Sequence, residues 1–137
     1  MTEHDIFEQL KPLLVEVLGV APERIRLDRV LVSDLGAESI DLLDLSFRIE
    51  EQFKVTLEAN EIEREARRRL PEGDYEQDGV LTDQALAQIR AFLPELDPAK
   101  LVKGLRKTDL PSLLTVSFFV RLIARKLADR TEGATHA

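Results

Sequence analysis

Residues 35–45 read LGAESIDLLDL, and the reading of this stretch decides the fold. A glycine-containing turn precedes Ser39, and an apolar periodicity begins behind it and runs to Phe53. Serine is a favoured helix cap, because its short hydroxyl can accept a backbone N–H that the first turn leaves unpaired. The pattern therefore predicts a helix over about Ser39 to Phe53. At about 100° per residue, Asp41, Asp44, Arg48, Glu51 and Gln52 fall in one polar arc. Leu42, Leu43, Leu45, Phe47, Ile49 and Phe53 fill most of the opposite side. That apolar arc is wider than a surface helix requires. It predicts a helix held between several neighbours, with Leu42, Leu43, Phe47 and Ile49 in the core.

The flanking sequence is helical as well. Ile6, Leu10, Leu13, Leu14, Val17 and Leu18 recur at spacings of three and four, one face of an amphipathic helix. Pro12 should loosen or kink that helix, and Gly19 should stop it. The connection over 20–38 has apolar anchors at Val20, Ile25, Leu27, Val30, Leu31 and Leu35, so it should pack down on the domain. After Phe53 come a short extended stretch and a charged helix ending before Pro71. LPEGDYEQDG reads as a loop by composition. Thr82 is placed to cap a helix holding Leu86, Ile89, Phe92 and Leu93. Asp97-Pro98 opens a short helix towards Gly104, and a last helix follows Pro111. The tail RTEGATHA, 131–137 with its preceding arginine, has nothing to bury and is expected to be mobile.

Composition narrows the chemistry. The chain has 137 residues, no cysteine and a net charge of −7. The missing thiols exclude a disulfide framework, a thiolate metal site and a cysteine nucleophile, and fit a cytoplasmic setting. The polar, acidic N-terminus lacks the pattern of a secretory signal, and no apolar run reaches the length of a membrane span. Residues 1–63 hold fifteen acids against six bases. Such a surface argues against nucleic acid as a partner and for something positively charged.

Ser39 remains to be explained. As a plain cap it lacks the reciprocal partner of a capping box, since Leu42 stands where Glu or Gln would be. As a hydrolase nucleophile it lacks a base: the two histidines, His4 and His136, lie near the ends, and there is no Gly-x-Ser-x-Gly elbow. The carboxylates at 34, 38, 41 and 44 do not have the spacing of a calcium loop. What is left is an exposed serine that another protein modifies.

At this point the sequence resembles a known family. GV-x4-I-x8-DLGAESIDLLDL followed by EEQF-x-V-x-L is similar to the acyl carrier proteins and their peptidyl carrier relatives. The resemblance implies an all-α, acyl-carrier-like four-helix bundle, here with additional inserted helices. It covers residues 1–63 and roughly 109–128, leaving 64–108 as an insertion in a single domain over 1–130. It implies a 4′-phosphopantetheine arm on Ser39, with Asp34, Leu35 and Gly36 as the turn before it. Glu38 stands where the family usually has Asp. Glu38, Ile40, Asp41, Asp44 and Glu51 would form the docking face, with Glu50 matching a further acidic position. The implied partners are a phosphopantetheinyl transferase and acyl-transferring or ketosynthase-type enzymes with basic docking patches, met by a monomer without catalytic activity. The pathway would be of the fatty acid, lipid or polyketide type. The rival reading is an unmodified acidic helical adaptor that kept the fold. For the insertion, Arg64 and Arg67-Arg68-Arg69 read first as a solvated face paired with Glu61, Glu63 and Glu65, and second as part of a segment that docks a particular partner or covers a long acyl chain.

Overall fold

In the computed structural model, which describes residues 1–57 and 61–136 and the last six of these by backbone alone, helix α1 (Glu3–Leu18) opens on a capping box. The Thr2 hydroxyl accepts the Asp5 N–H at 3.1 Å, and Asp5 Oδ2 accepts the Thr2 N–H at 3.0 Å. Those bonds to Thr2 hold the Asp5 carboxyl below the usual carboxylate range. Ile6, Leu10 and Leu14 are buried, the face that the spacing predicts. Pro12 does not break the helix, which runs on unbroken to Leu18. Pro12 is exposed on the outer side of the helix, where the turn can open slightly to take its ring and its missing N–H. Gly19 ends α1 at φ 66°, a left-handed conformation that glycine adopts without a Cβ clash, and its N–H returns to the Val15 carbonyl at 2.9 Å.

The chain divides into two compact units, Met1–Leu57 with Thr115–Ala137, and Glu58–Leu114. The second unit contains the stretch 64–108, which the sequence reading takes as an insertion. In the first unit α1 packs against α2 (Ser39–Phe53) and against α5, which is Val116–His136. Helix α2 buries Leu45, Ile49 and Phe53, and α5 buries Val116, Phe118, Phe119, Val120, Leu122 and Ile123. Buried Thr115 starts α5, its Oγ1 accepting the Phe118 N–H at 3.1 Å. The expected mobile tail lies outside the described residues so far as side chains go, and α5 continues in backbone to His136.

The connection before α2 is folded down, as its apolar anchors predict. Ile25, Leu31 and Leu35 are buried, and a 3-10 turn, Pro22–Arg24, takes up part of its length. Its backbone is also tied to the start of α5: Val30 bridges Thr115, and the Val116 and Ser117 N–H groups donate to Arg29 and Leu27 carbonyls at 3.0 Å each. Leu27 is the exception among the anchors and is exposed.

The second unit has α3 (Glu61–Arg68), β1 (Glu76–Gln77), β2 (Val80–Leu81) and α4 (Asp83–Phe92), and α3 packs on α4. The strands correct the reading of LPEGDYEQDG as a plain loop. Asp78 and Gly79 both have positive φ, 52° and 83°, which closes a tight two-residue hairpin pairing Glu76 with Leu81. Tyr75, beside it, is fully buried. Thr82 caps α4 by accepting the Ala85 N–H at 3.1 Å, and Leu86, Ile89 and Leu93 are buried. Asp97-Pro98 opens a single 3-10 turn, and Pro111 lies inside another, Lys107–Leu113. The arginines at 67–69, at and just past the end of α3, are paired as expected: Arg67 with Glu63 at 2.9 Å, and Arg68 and Arg69 with Glu65 at 2.8 and 2.9 Å.

Candidate functional site

The site is built by the turn that leads into α2. Asp34 Oδ2 accepts the Val30 N–H at 2.7 Å, and the Asp34 carbonyl accepts from Arg24 Nη2 at 2.8 Å. The Ala37 N–H returns to the Leu31 carbonyl at 2.9 Å, with Leu31, Leu35 and Ala37 buried beneath. The turn is thus closed by hydrogen bonds on its outside and apolar contact on its inside, and it delivers the chain to Glu38 in an extended conformation.

Glu38, rather than Ser39, is the cap of α2, which closes the question of whether Ser39 is a plain cap. Asp41 Oδ2 accepts the Glu38 N–H at 2.9 Å, so the reciprocal partner missing at Leu42 is supplied one residue earlier. Ser39 becomes the first residue of the helix, exposed, with its hydroxyl released from capping. The first intrahelical bond runs from the Leu42 N–H to the Glu38 carbonyl at 3.1 Å. The amides of Ser39 and Ile40 precede it and face a helix N-terminus that favours anions.

The other residues singled out from the sequence divide into two groups. Glu38, Ile40, Asp44 and Glu51 are exposed, Ile40 at 70%. Asp41 is half-buried and engaged in the cap. Glu50 is turned to structural work, its Oε2 accepting the Leu57 N–H at 3.0 Å. Asp44 pairs with Arg48 at 3.1 Å, and Arg48 also reaches Glu16 at 3.0 Å. Hydrogen bonds donated to Glu16 and Asp44 raise the Arg48 pKa further, so this guanidinium stays charged.

Leu43 and Phe47 overturn an expectation. The periodicity places both in the core, yet they are 57% and 60% exposed. On the helical wheel Ile40, Leu43 and Phe47 share one stripe, and Leu45, Ile49 and Phe53 lie on the opposite side. The wide apolar arc is therefore two apolar faces, one buried in the unit and one open. Periodicity marks both faces equally, and the signal that separates them is the position of Asp44 and Glu51 along one edge of the open stripe. Among the described residues no cluster of His, Asp and Glu is arranged to hold a metal ion.

Residues 8–66 match the family model described as "Phosphopantetheine attachment site", a span that includes the turn, Ser39 and all of α2. The acyl carrier protein of Petrotoga mobilis is 38% identical over 64 residues, which is 47% of this chain and 75% of that protein. The chain belongs to the acyl carrier protein family. The acyl carrier proteins of Campylobacter hominis and Wolinella succinogenes, 35% and 38% identical over 60 and 59 residues, agree; they are covered to 76% and 78%, with 44% and 43% of this chain. Membership brings a covalently attached 4′-phosphopantetheine, and acyl carrier proteins are carriers and not enzymes. This carrier is longer than those relatives, and Glu58–Leu114 lies largely outside the matched residues. Its exposed Ser39 hydroxyl and the anion-favouring start of α2 suit a phosphate-linked arm. None of its described helices is long and apolar enough to cross a membrane.

Proposed function

We propose that Ser39 bears the 4′-phosphopantetheine and that the protein holds acyl intermediates for fatty acid, lipid or polyketide-type biosynthesis in the cytoplasm. One observation carries this reading: Ser39 is exposed at the first position of α2, with its hydroxyl left out of the cap. In the loading step the Ser39 hydroxyl oxygen forms a bond to the phosphorus next to the pantetheine of coenzyme A. The pyrophosphate P–O bond breaks, 3′,5′-ADP leaves, and the hydroxyl proton passes to a base on the transferase. Once attached, the arm supplies the thiol that holds acyl groups as thioesters. The chain itself has no cysteine to supply one.

This protein's own residues do three things. The Asp34 and Asp41 bonds hold the turn and the first helical residue in place. The N-terminal amides of α2 favour the phosphodiester that loading creates. The face of Glu38, Ile40, Asp41, Asp44 and Glu51, extended by Leu43 and Phe47, meets successive enzymes with basic patches around an apolar centre. Charge speeds encounter while the small apolar stripe keeps each complex short-lived, as a shuttle requires. Incubation with a phosphopantetheinyl transferase and coenzyme A, followed by intact mass, tests the assignment. One arm on the wild type and none on Ser39→Ala is expected; an adduct that survives Ser39→Ala overturns it.

A further inference from the structure

Thr115 is 4% exposed, and it joins the start of α5 to the connection that leads to Ser39. A helix cannot pair the amides of its first turn within itself. In α5 the first three all have partners outside the helical ladder. The Phe118 N–H goes to Thr115 Oγ1 at 3.1 Å, and the same oxygen shares a hydrogen bond with Ser117 Oγ at 2.9 Å. The Val116 and Ser117 N–H groups go to the Arg29 and Leu27 carbonyls at 3.0 Å each, and Val30 bridges Thr115. Residues 27–30 are thus the other half of the cap of α5.

The same residues set the turn before α2. Val30 donates its N–H to Asp34 Oδ2 at 2.7 Å, and its carbonyl accepts the Asp34 and Leu35 N–H groups at 2.9 and 3.3 Å. The Ala37 N–H then returns to the Leu31 carbonyl, and Glu38 and Ser39 follow. One run of hydrogen bonds therefore leads from the Thr115 hydroxyl to the residue before the start of α2. Burial of Ile25, Leu31 and Leu35 holds the connection down, but apolar contact is non-directional and does not fix the place of a turn. Hydrogen bonds do, because they weaken steeply with angle. Removing the Thr115 hydroxyl leaves the Phe118 amide unpaired in a buried place, so the first turn of α5 loosens. The Val116 and Ser117 amides that hold 27–29 loosen with it. Leu114, one residue earlier, ends the inserted unit, so the chain returns from its insertion straight into the segment that sets this turn.

We propose that Thr115 is a positioning residue for arm transfer: it holds the first turn of α5 and, through residues 27–30 and Asp34, fixes where Ser39 stands. The proposal rests on Ser39 as the loaded residue, which the intact mass of Ser39→Ala decides separately. The full chain is tested with a phosphopantetheinyl transferase and coenzyme A. Thr115→Val loses the hydroxyl at nearly the same shape, and Thr115→Ser keeps it. The kcat should fall about 10-fold in Thr115→Val, within the roughly 100-fold that a misplacement of about 1 Å costs, with KM little changed because the α2 face is intact. Thr115→Ser should recover most of kcat. Combined with Asp34→Ala, the Thr115→Val loss should not multiply, since both changes loosen one segment. Amide exchange gives a reading that needs no change at Thr115. Asp34→Ala should speed exchange at Val116 and Ser117 as well as at Val30, because coupling between two places is reciprocal. An unchanged kcat in a folded Thr115→Val protein, an equal loss in Thr115→Ser, losses that multiply, or Val116 and Ser117 amides that do not respond to Asp34→Ala would each overturn the proposal. If these tests fail while Ser39 alone still takes the arm, the carrier reading stands.

Discussion

The Glu38 N–H donates to Asp41 Oδ2 at 2.9 Å, and this bond makes Ser39 the first helical residue instead of the cap. Removing the acceptor with Asp41→Ala should cost about 1 kcal/mol of stability, the usual worth of such a cap. It should also slow arm transfer, because the serine loses its fixed place at the helix start. Urea unfolding reads the first effect and transfer kinetics the second. Unchanged kinetics in a folded Asp41→Ala protein would remove Asp41 from the site.

The two apolar faces of α2 predict opposite outcomes for similar truncations. Ile49 is fully buried, so Ile49→Ala should cost about 2–5 kcal/mol. Phe47 is 60% exposed, so Phe47→Ala should change stability by less than about 0.5 kcal/mol. The same Phe47 change should weaken binding to a partner enzyme, measured as a higher KM for the carrier as substrate. A destabilised Phe47→Ala with unaltered KM would return Phe47 to the core.

These contrasts show which features were legible beforehand. Ile6, Leu10 and Leu14 repeat at spacings that only a buried helical face explains, and Thr82 precedes an apolar run as a cap should. The turn before Ser39 and the motif around it pointed to the family. Periodicity does not say whether an apolar stripe is covered, so Leu43 and Phe47 read as core from sequence. A hairpin with two residues per strand is too short to show alternation, so Glu76–Leu81 reads as loop by composition. Serine is a more favoured cap than glutamate, so residue type alone does not pick Glu38; the bond that its N–H donates to Asp41 decides the matter.

Tyr75 gives a pH dependence confined to one residue. It is 1% exposed, and burial, aided by Glu63, pushes its hydroxyl up to about 12. The folded state therefore holds this proton more tightly than the unfolded chain, whose tyrosine ionises near pH 10. The resulting stability is fully present below about pH 10 and is lost as pH rises through about 12, in total about 2–3 kcal/mol. The protein has one tyrosine and no tryptophan, so phenolate absorbance reports this group alone. A titration midpoint near 10 in the folded protein would contradict the burial argument.

Asp34 should act on loading without touching the arm. Its Oδ2 accepts the Val30 N–H at 2.7 Å, and its carbonyl takes the Arg24 guanidinium at 2.8 Å. Asp34→Ala leaves the Val30 amide without its acceptor and loosens the turn that ends at Glu38, at a cost of about 1–2 kcal/mol. Asp34→Asn keeps a carbonyl oxygen at the same place, so most of the stability should return. The informative reading is the split in transfer kinetics. A positioning role lowers kcat for arm transfer in Asp34→Ala and recovers it in Asp34→Asn, with KM little changed because the exposed α2 face is intact. An equal loss of kcat in both variants would mean that the negative charge of Asp34 matters to the transferase, and the hydrogen bond to Val30 would then not be the cause.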